Sequence, residues 1–278
     1  MGGNAAANLS IRLSTPMISK MSWPIISLFL ALGCSEPTPV QTESLNQEQT
    51  LSYEDHARQS KRAMQMGQYA DAVKHAQAVI DLRPESIEYY MIAGEASFMM
   101  GNMEKAIVYF DRLIDLTPRI KPQLWQRGLA LYYAKKYEQG KEQFESHQNY
   151  NSEDVENAVW HLLCHSRLVD LEEARKSFIP ITQDRRIPMK QIHKLFGGNG
   201  SVESVMDAVG VTPDDERRPY HEYYAQLYIG LYYDMIGESE KSMAAMRKAA
   251  KVNPIAKNQL MGRVADVHLL VRGKQANE

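Results

Sequence analysis

The chain has 278 residues, 44% of them apolar, with 32 basic and 34 acidic side chains and a net charge of −2. That length supports one large domain or two small ones around a sizeable core. The near balance of charge supplies no basic footprint, so no nucleic-acid partner is expected.

The chain begins without acidic residues. Arg12 and Lys20 precede an uncharged run, Ile25 to Cys34, and the first acidic residue is Glu36. A cationic start, a short apolar core and small residues at its end predict a secretory signal peptide over residues 1–33. The apolar core is about half of what a membrane-spanning helix needs, so no lasting transmembrane segment is expected. Initiation at Met1, Met17 or Met21 keeps that core intact. The run ends in Ala31-Leu32-Gly33-Cys34, which resembles a bacterial lipobox. The resemblance implies cleavage between Gly33 and Cys34, a diacylglycerol on the Cys34 sulfur, and an acyl chain such as palmitate on the new amino terminus. Ala31 departs from the commoner leucine. Ser35 follows the cysteine, which in a Gram-negative host favours sorting to the outer membrane, facing the periplasm. Cys34 and Cys164 are the two cysteines, and with Cys34 lipidated Cys164 has no intrachain partner. Residues 34–52 are rich in Gln, Glu, Ser and Thr and lack helical periodicity, so they are expected to form a flexible, lipid-anchored tether.

From Tyr53 onward the organising pattern is a period of 34 residues. Gly67 recurs as Gly101, Gly94 as Gly128, Phe110 as Phe144 and Phe178, and Pro84 as Pro118. Small and aromatic residues at fixed offsets in one register resemble the tetratricopeptide repeat, a pair of antiparallel helices. The fold class expected is therefore all-α: a tetratricopeptide-repeat helical solenoid with an irregular helical insert and a C-terminal closing helix. Units start near Tyr53, Ile87, Lys121 and Val155, giving four units over residues 53–178. Residues 179–222 form the irregular segment, in which "PMKQIHKLF" and "SVESVMDAV" read as short helices separated by "GGNG", with Ser201 as a cap. A fifth unit covers 223–254, and 255–278 hold the closing helix and tail. Unit four is worn: Leu162 stands where a small residue belongs, and the terminal proline is missing.

"RGLALYYAKKYEQGKEQF" and "YIGLYYDMIGESEKSMAAMRKAA" also resemble stretches of NlpI-type outer-membrane lipoproteins. That resemblance implies an adaptor that forms homodimers and binds peptidoglycan hydrolases and a periplasmic protease. The family supplies no catalytic motif.

No catalytic residues, metal ligands or cofactor site are assigned. His161, Cys164 and His165 share one helical face, but no fourth ligand lies nearby in sequence, and core packing is the preferred reading. "GGNGS" lacks the Lys-Ser/Thr of a phosphate loop, and the charged runs "QDRR" and "DDERR" read as solvated loops. The concave face of the first helices is the candidate partner-binding groove. It is lined by Met91, Phe98 and Met99, then Trp125, Leu129, Tyr132 and Tyr133, then Tyr224, Leu227 and Leu231, with unit one contributing the polar Glu54, Lys61 and Gln65. Such a face must be covered by a client, by a second copy, or by the chain's own middle segment or terminal helix. The function expected is a non-enzymatic, membrane-anchored scaffold binding proteins or peptides in the bacterial cell envelope. A soluble periplasmic repeat protein is the alternative. A cell-envelope hydrolase or metal enzyme built from His193, His221 and the "DDERR" loop is another.

Overall fold

The computed structural model describes residues 51–256 and 258–275. The predicted signal peptide, Gly33, Cys34 and most of the tether lie outside the described residues. Everything described is helix and connecting loop, and no strand occurs among these residues.

Four helix pairs come first. They are α1 (Tyr53–Met66) with α2 (Tyr69–Leu82), α3 (Ile87–Met99) with α4 (Met103–Leu116), α5 (Trp125–Tyr133) with α6 (Tyr137–Gln148), and α7 (Val155–His165) with the short α8 (Leu171–Lys176). Side-chain caps set several starts. The Ser52 hydroxyl accepts from Asp55 N at 3.2 Å while the Asp55 carboxylate reaches back, which makes a capping box. The side chains of Asn102, Asp154 and Asp170 each accept from one first-turn N–H of α4, α7 and α8. Lys121 does not open the first helix of unit three. Residues Pro118–Gln123 form a 3-10 turn and α5 starts only at Trp125, because Pro122 has no N–H to give a regular α-turn.

The turn inside each pair has one backbone demand. Gly67, Gly101 and Gly237 occupy the same repeat position with φ of +72°, +77° and +82°, and Lys135 takes that position in unit three at φ +61°. A left-handed residue there ends one helix and aims the chain into the next. Lys135 bears a steric cost of about 1 kcal/mol that glycine avoids.

The repeat signature has a packing reason. A Cβ on Gly94 would lie 2.6 Å from the Phe110 ring, one on Gly128 2.5 Å from Phe144, and one on Gly230 2.9 Å from Met246. A small residue on the first helix thus makes room for a large one on the second. Unit four breaks the pattern with Leu162, and the consequence is visible at Phe178. That ring is only half-buried and stacks on His193 of the insert at 4.5 Å.

The insert contains α9 (Met189–Phe196) and α10 (Val202–Gly210), the latter capped by Ser201 with Ser204 as its reciprocal partner. Helix α9 packs against α7 and against α11 (Arg218–Met235), so it fills the place of a missing repeat. Helix α11 reaches back beyond Tyr223 to Arg218, with Pro219 in its first turn, where a missing N–H costs nothing. Helix α12 (Ser239–Val252) completes the fifth pair. A 3-10 turn at Leu260–Arg263 then leads into α13 (Val264–Gln275), which packs on α12 and crosses to α3. There Leu270 lies 2.7 Å from a Cβ placed on Gly101. Among the described residues no helix is long and apolar enough to cross a membrane.

The run "QDRR" does more than face solvent. Arg186 pairs with Asp154, Glu156 and Asp184, each at 2.6 Å, and Asp184 accepts from Val155 N at 3.2 Å. This fastens the strap before α9 to the start of α7. Tyr228 of α11 donates to the same Glu156 at 2.6 Å.

Candidate functional site: the closed groove

The ten predicted groove residues do not form an open surface. Phe98, Met99, Leu129, Tyr132, Tyr133, Leu227 and Leu231 are buried, and Met91, Trp125 and Tyr224 are half-buried. The physical reason is that the chain fills its own groove. The late repeat and α13 fold against α3, α5 and α7, and an apolar stripe of this size finds its cover in the same molecule.

The cover is held by a polar latch inside an aromatic cluster. Tyr132 packs edge-on against Tyr133, Tyr137 and Trp160 with ring centroids 5.3, 5.8 and 5.4 Å apart. Its hydroxyl donates to Asp234 Oδ2 at 2.8 Å. Arg167 and Arg272 reach that same oxygen at 3.0 and 3.1 Å. One carboxylate on α11 thus ties together α5, the end of α7 and α13. Beside it, His268 Nδ1 meets the Tyr133 hydroxyl at 3.1 Å and His268 Nε2 meets Ser242 Oγ at 3.2 Å. Burial pushes Asp234 upward, but Arg272, His268 and Arg167 together hold its carboxyl below the ordinary range.

These latch residues escaped the sequence reading, although a signal was present. Asp234 and Arg167 occupy the same repeat positions that supplied the apolar groove residues Phe98 and Met99. A charge at a position otherwise filled by Phe, Met or Tyr marks an internal partner. Glu95 of α3 stands where units three to five carry Leu129, Leu163 and Leu231, and it accepts from Gln126 Nε2 at 3.2 Å.

Two buried groups give the fold a pH signature of opposite signs. Burial pulls His268 down to about 4, against the pull of Asp234. The unfolded chain therefore takes up a proton near pH 6.5 that the folded chain refuses until about pH 4. That contribution to stability is lost as pH falls through this window. Glu95 runs the other way. Burial raises it to about 7, so its folded form holds a proton that the unfolded chain releases, and stability from it falls as pH rises toward 7. The two slopes oppose each other in the wild type, and a variant separates them. The stability gap between wild type and His268→Gln, measured by urea unfolding, is expected to narrow by about 2 kcal/mol between pH 7 and pH 5. A gap constant across pH would show that His268 is not held neutral.

The remaining sequence candidates fall on separate elements. Cys164 is fully buried, its thiol pushed well up by burial, and its Sγ lies 2.8 Å from a Cβ placed on Gly140. It acts as a small apolar filler between helices. His161 is buried with Nε2 3.3 Å from Glu145, and His165 Nδ1 meets Ser177 Oγ at 3.0 Å. No group of three or more His, Cys, Asp or Glu placed to hold a metal ion occurs among the described residues. His193 on α9 donates to the Ile179 carbonyl at 2.9 Å, His221 sits in the first turns of α11, and Asp215 of "DDERR" pairs with Arg217 at 2.7 Å.

Stacked antiparallel helix pairs with a shared concave side define a helical-repeat scaffold protein. A family model described as tetratricopeptide repeat matches residues 58–119. The uncharacterized protein MJ0572 of Methanocaldococcus jannaschii is 31% identical over 84 residues, covering 27% of this chain and 98% of that protein. The chain belongs to the tetratricopeptide-repeat proteins, whose members bind protein partners. Similar solved structures include MamA of Desulfovibrio magneticus RS-1, 14% identical over 72% of this chain and 94% of that one, with a TM-score of 0.43. Another is the C-terminal part of a repeat-containing protein from Cytophaga hutchinsonii, 19% identical, covering 77% and 74% of the two chains with a TM-score of 0.38.

Proposed function

We propose that this chain is a membrane-anchored tetratricopeptide-repeat adaptor, lipidated on Cys34, that binds proteins or peptides in the bacterial cell envelope. The observation that carries the reading is the order of segments: a short uncharged run ending in Ala31-Leu32-Gly33-Cys34, a polar tether, then a helical-repeat scaffold. Several acyl chains on one cysteine would give stable anchoring, since each buried CH₂ contributes about 0.8 kcal/mol. The NlpI-like stretches favour an outer-membrane, periplasm-facing protein that homodimerises and carries peptidoglycan hydrolases or a protease as clients, with no catalysis of its own. Because the chain covers much of its own groove, including Phe98 and Met99 of unit two and Leu129, Tyr132 and Tyr133 of unit three, the client surface is what stays accessible on the first helices of the first three units. There Lys61 and Glu88 are exposed and Met91 and Trp125 are half-buried. This is a mixed charged and apolar strip suited to a peptide.

Metabolic labelling with a fatty-acid analogue tests the anchor. The expected result is label on the wild-type chain, none on Cys34→Ala, and a shift of that variant from membrane to soluble fractions. Label that survives Cys34→Ala would refute lipidation there. A wild-type chain that is unlabelled and soluble would support the ordinary-signal alternative.

A further inference from the structure

The first helix pair holds two histidines ring to ring. His56 of α1 and His75 of α2, both half-buried, place their Nδ1 atoms 2.9 Å apart, with ring centroids 5.2 Å apart and planes 40° apart. A hydrogen bond between two imidazole nitrogens needs one N–H and one lone pair. The pair keeps that bond when both rings are neutral, and keeps it when one ring is charged. With both rings charged, two N–H groups and two positive charges face each other, and the bond is lost. Protons on such a pair are taken up in two coupled steps, the second opposed by the first.

The surroundings do not rescue the doubly charged state. Burial, then the His56 ring, then Lys74 hold His75 below its ordinary value, against Asp71. On α1 the neighbouring carboxylates are engaged: Asp55 with Ser52 and Arg58, while Glu54 lies 3.9 Å from Arg83. From α3, Glu88 is held by Lys61 at 2.9 Å. From α4, the Tyr109 hydroxyl donates to Gln77 of α2 at 2.7 Å. Beyond the start of α2, Arg263 lies over the Tyr69 ring and pairs with Asp266.

Helix α1 is also the more lightly held member of its pair. It buries Ser60, Ala63 and Met64, whereas α2, of the same length, buries Ala72, Val73, Ala76, Val79 and Ile80. Ser60 Oγ adds a bond to the Ala72 carbonyl at 3.1 Å, and Tyr53 meets the Tyr89 ring edge-on at 6.4 Å. A helix anchored by few buried residues opens ahead of the rest of a repeat stack.

We infer that the His56–His75 contact is an acid-sensitive joint: it fastens α1 to α2 while at least one ring is neutral, and double protonation releases α1 from the stack. The unfolded chain takes up a proton on His75 near pH 6.5, and the folded pair resists it. The stability lent to α1 is therefore present above that pH and is lost as pH falls below it. Release parts Lys61 from Glu88 and uncovers the Tyr89 side of α3, which changes the strip offered to clients. That consequence alone rests on the proposed adaptor function.

The test is amide exchange on the full-length protein at pH 7 and pH 5, with no client present, expressed as protection relative to the free chain at each pH. Protection along α1 is expected to fall at least tenfold more than protection along α4. His75→Asn offers His56 an uncharged amide in place of the ring nitrogen, so its α1 protection should follow α4 at both pH values. His56→Asn should do the same from the other side. His268 is intact in all three chains, so its own pH effect is common to them. Wild-type α1 protection that follows α4, or an undiminished drop in both asparagine variants, would overturn the inference. Should neither variant fold, the ring-nitrogen NMR shifts of the wild type decide. A two-step titration shared by the two rings is expected, and two independent titrations would overturn it.

Discussion

Replacing Asp234 by alanine is expected to cost about 3–5 kcal/mol of folding stability, the usual loss when one partner of a buried charge cluster is removed. The side chain is only 12% exposed and accepts from Tyr132, Arg167 and Arg272. Without it Arg167 and Arg272 lose the carboxylate they share, and a buried phenol loses its acceptor. The damage should appear first at the closing helix, because Arg272 is the α13 member of the cluster. Amide exchange should therefore speed up along α13 and the facing part of α3 before α1 and α2 are affected. The double variant Asp234→Ala with Arg272→Met should recover part of the loss, since it leaves one guanidinium, Arg167, rather than two without the carboxylate they shared. Urea unfolding that places Asp234→Ala within about 1 kcal/mol of wild type would reduce the latch to an ordinary surface ion pair.

Phe144→Ala should be comparably severe, at about 3–5 kcal/mol. The ring is 1% exposed, lies against Gly128, and stacks on Trp160 at 6.4 Å with planes 19° apart. Its partner gives the converse test. Gly128→Ala brings a methyl to 2.5 Å from the ring, and overpacking of this kind costs about 1–3 kcal/mol. Combining Gly128→Ala with Phe144→Leu should cost less than the two single changes added together, because the smaller side chain vacates the space that the new methyl needs. Strict additivity would mean that the small-large pairing of the repeat is not what limits the approach of α5 and α6.

Much of this fold was legible from residues because the repeat is locally specified. Gly128 and Phe144 are 16 positions apart, and the left-handed turn position lies between them. The capping residues Ser52, Asn102, Asp154, Asp170 and Ser201 sit immediately ahead of the helices they start. Local hydrogen bonding and the volume of two facing side chains decide these features, and both can be read from adjacent letters. The worn fourth unit was legible for the same reason, since Leu162 cannot admit a large residue opposite. What it does with Phe178, stacking it on His193, depends on where the insert lies in space.

The candidate site was legible only in its membership. Phe98, Tyr132 and Leu227 are buried in one core cluster, and the sequence left open what covers them. The answer rests on contacts between distant segments: Tyr132 with Asp234 across 102 positions, and Tyr133 with His268 across 135. No local pattern encodes such a pairing. A groove of this apolarity is stable only when covered, and several covers satisfy that demand equally well. By itself the sequence determined an all-α repeat protein, its 34-residue register, its turn positions and the small-large pairs that set helix spacing. The tertiary structure alone decided that the chain closes its own groove, because that outcome depends on the superhelical path returning α11 and α13 to α3 and α5, where Asp234 can pair with both Arg167, just past α7, and Arg272 of α13.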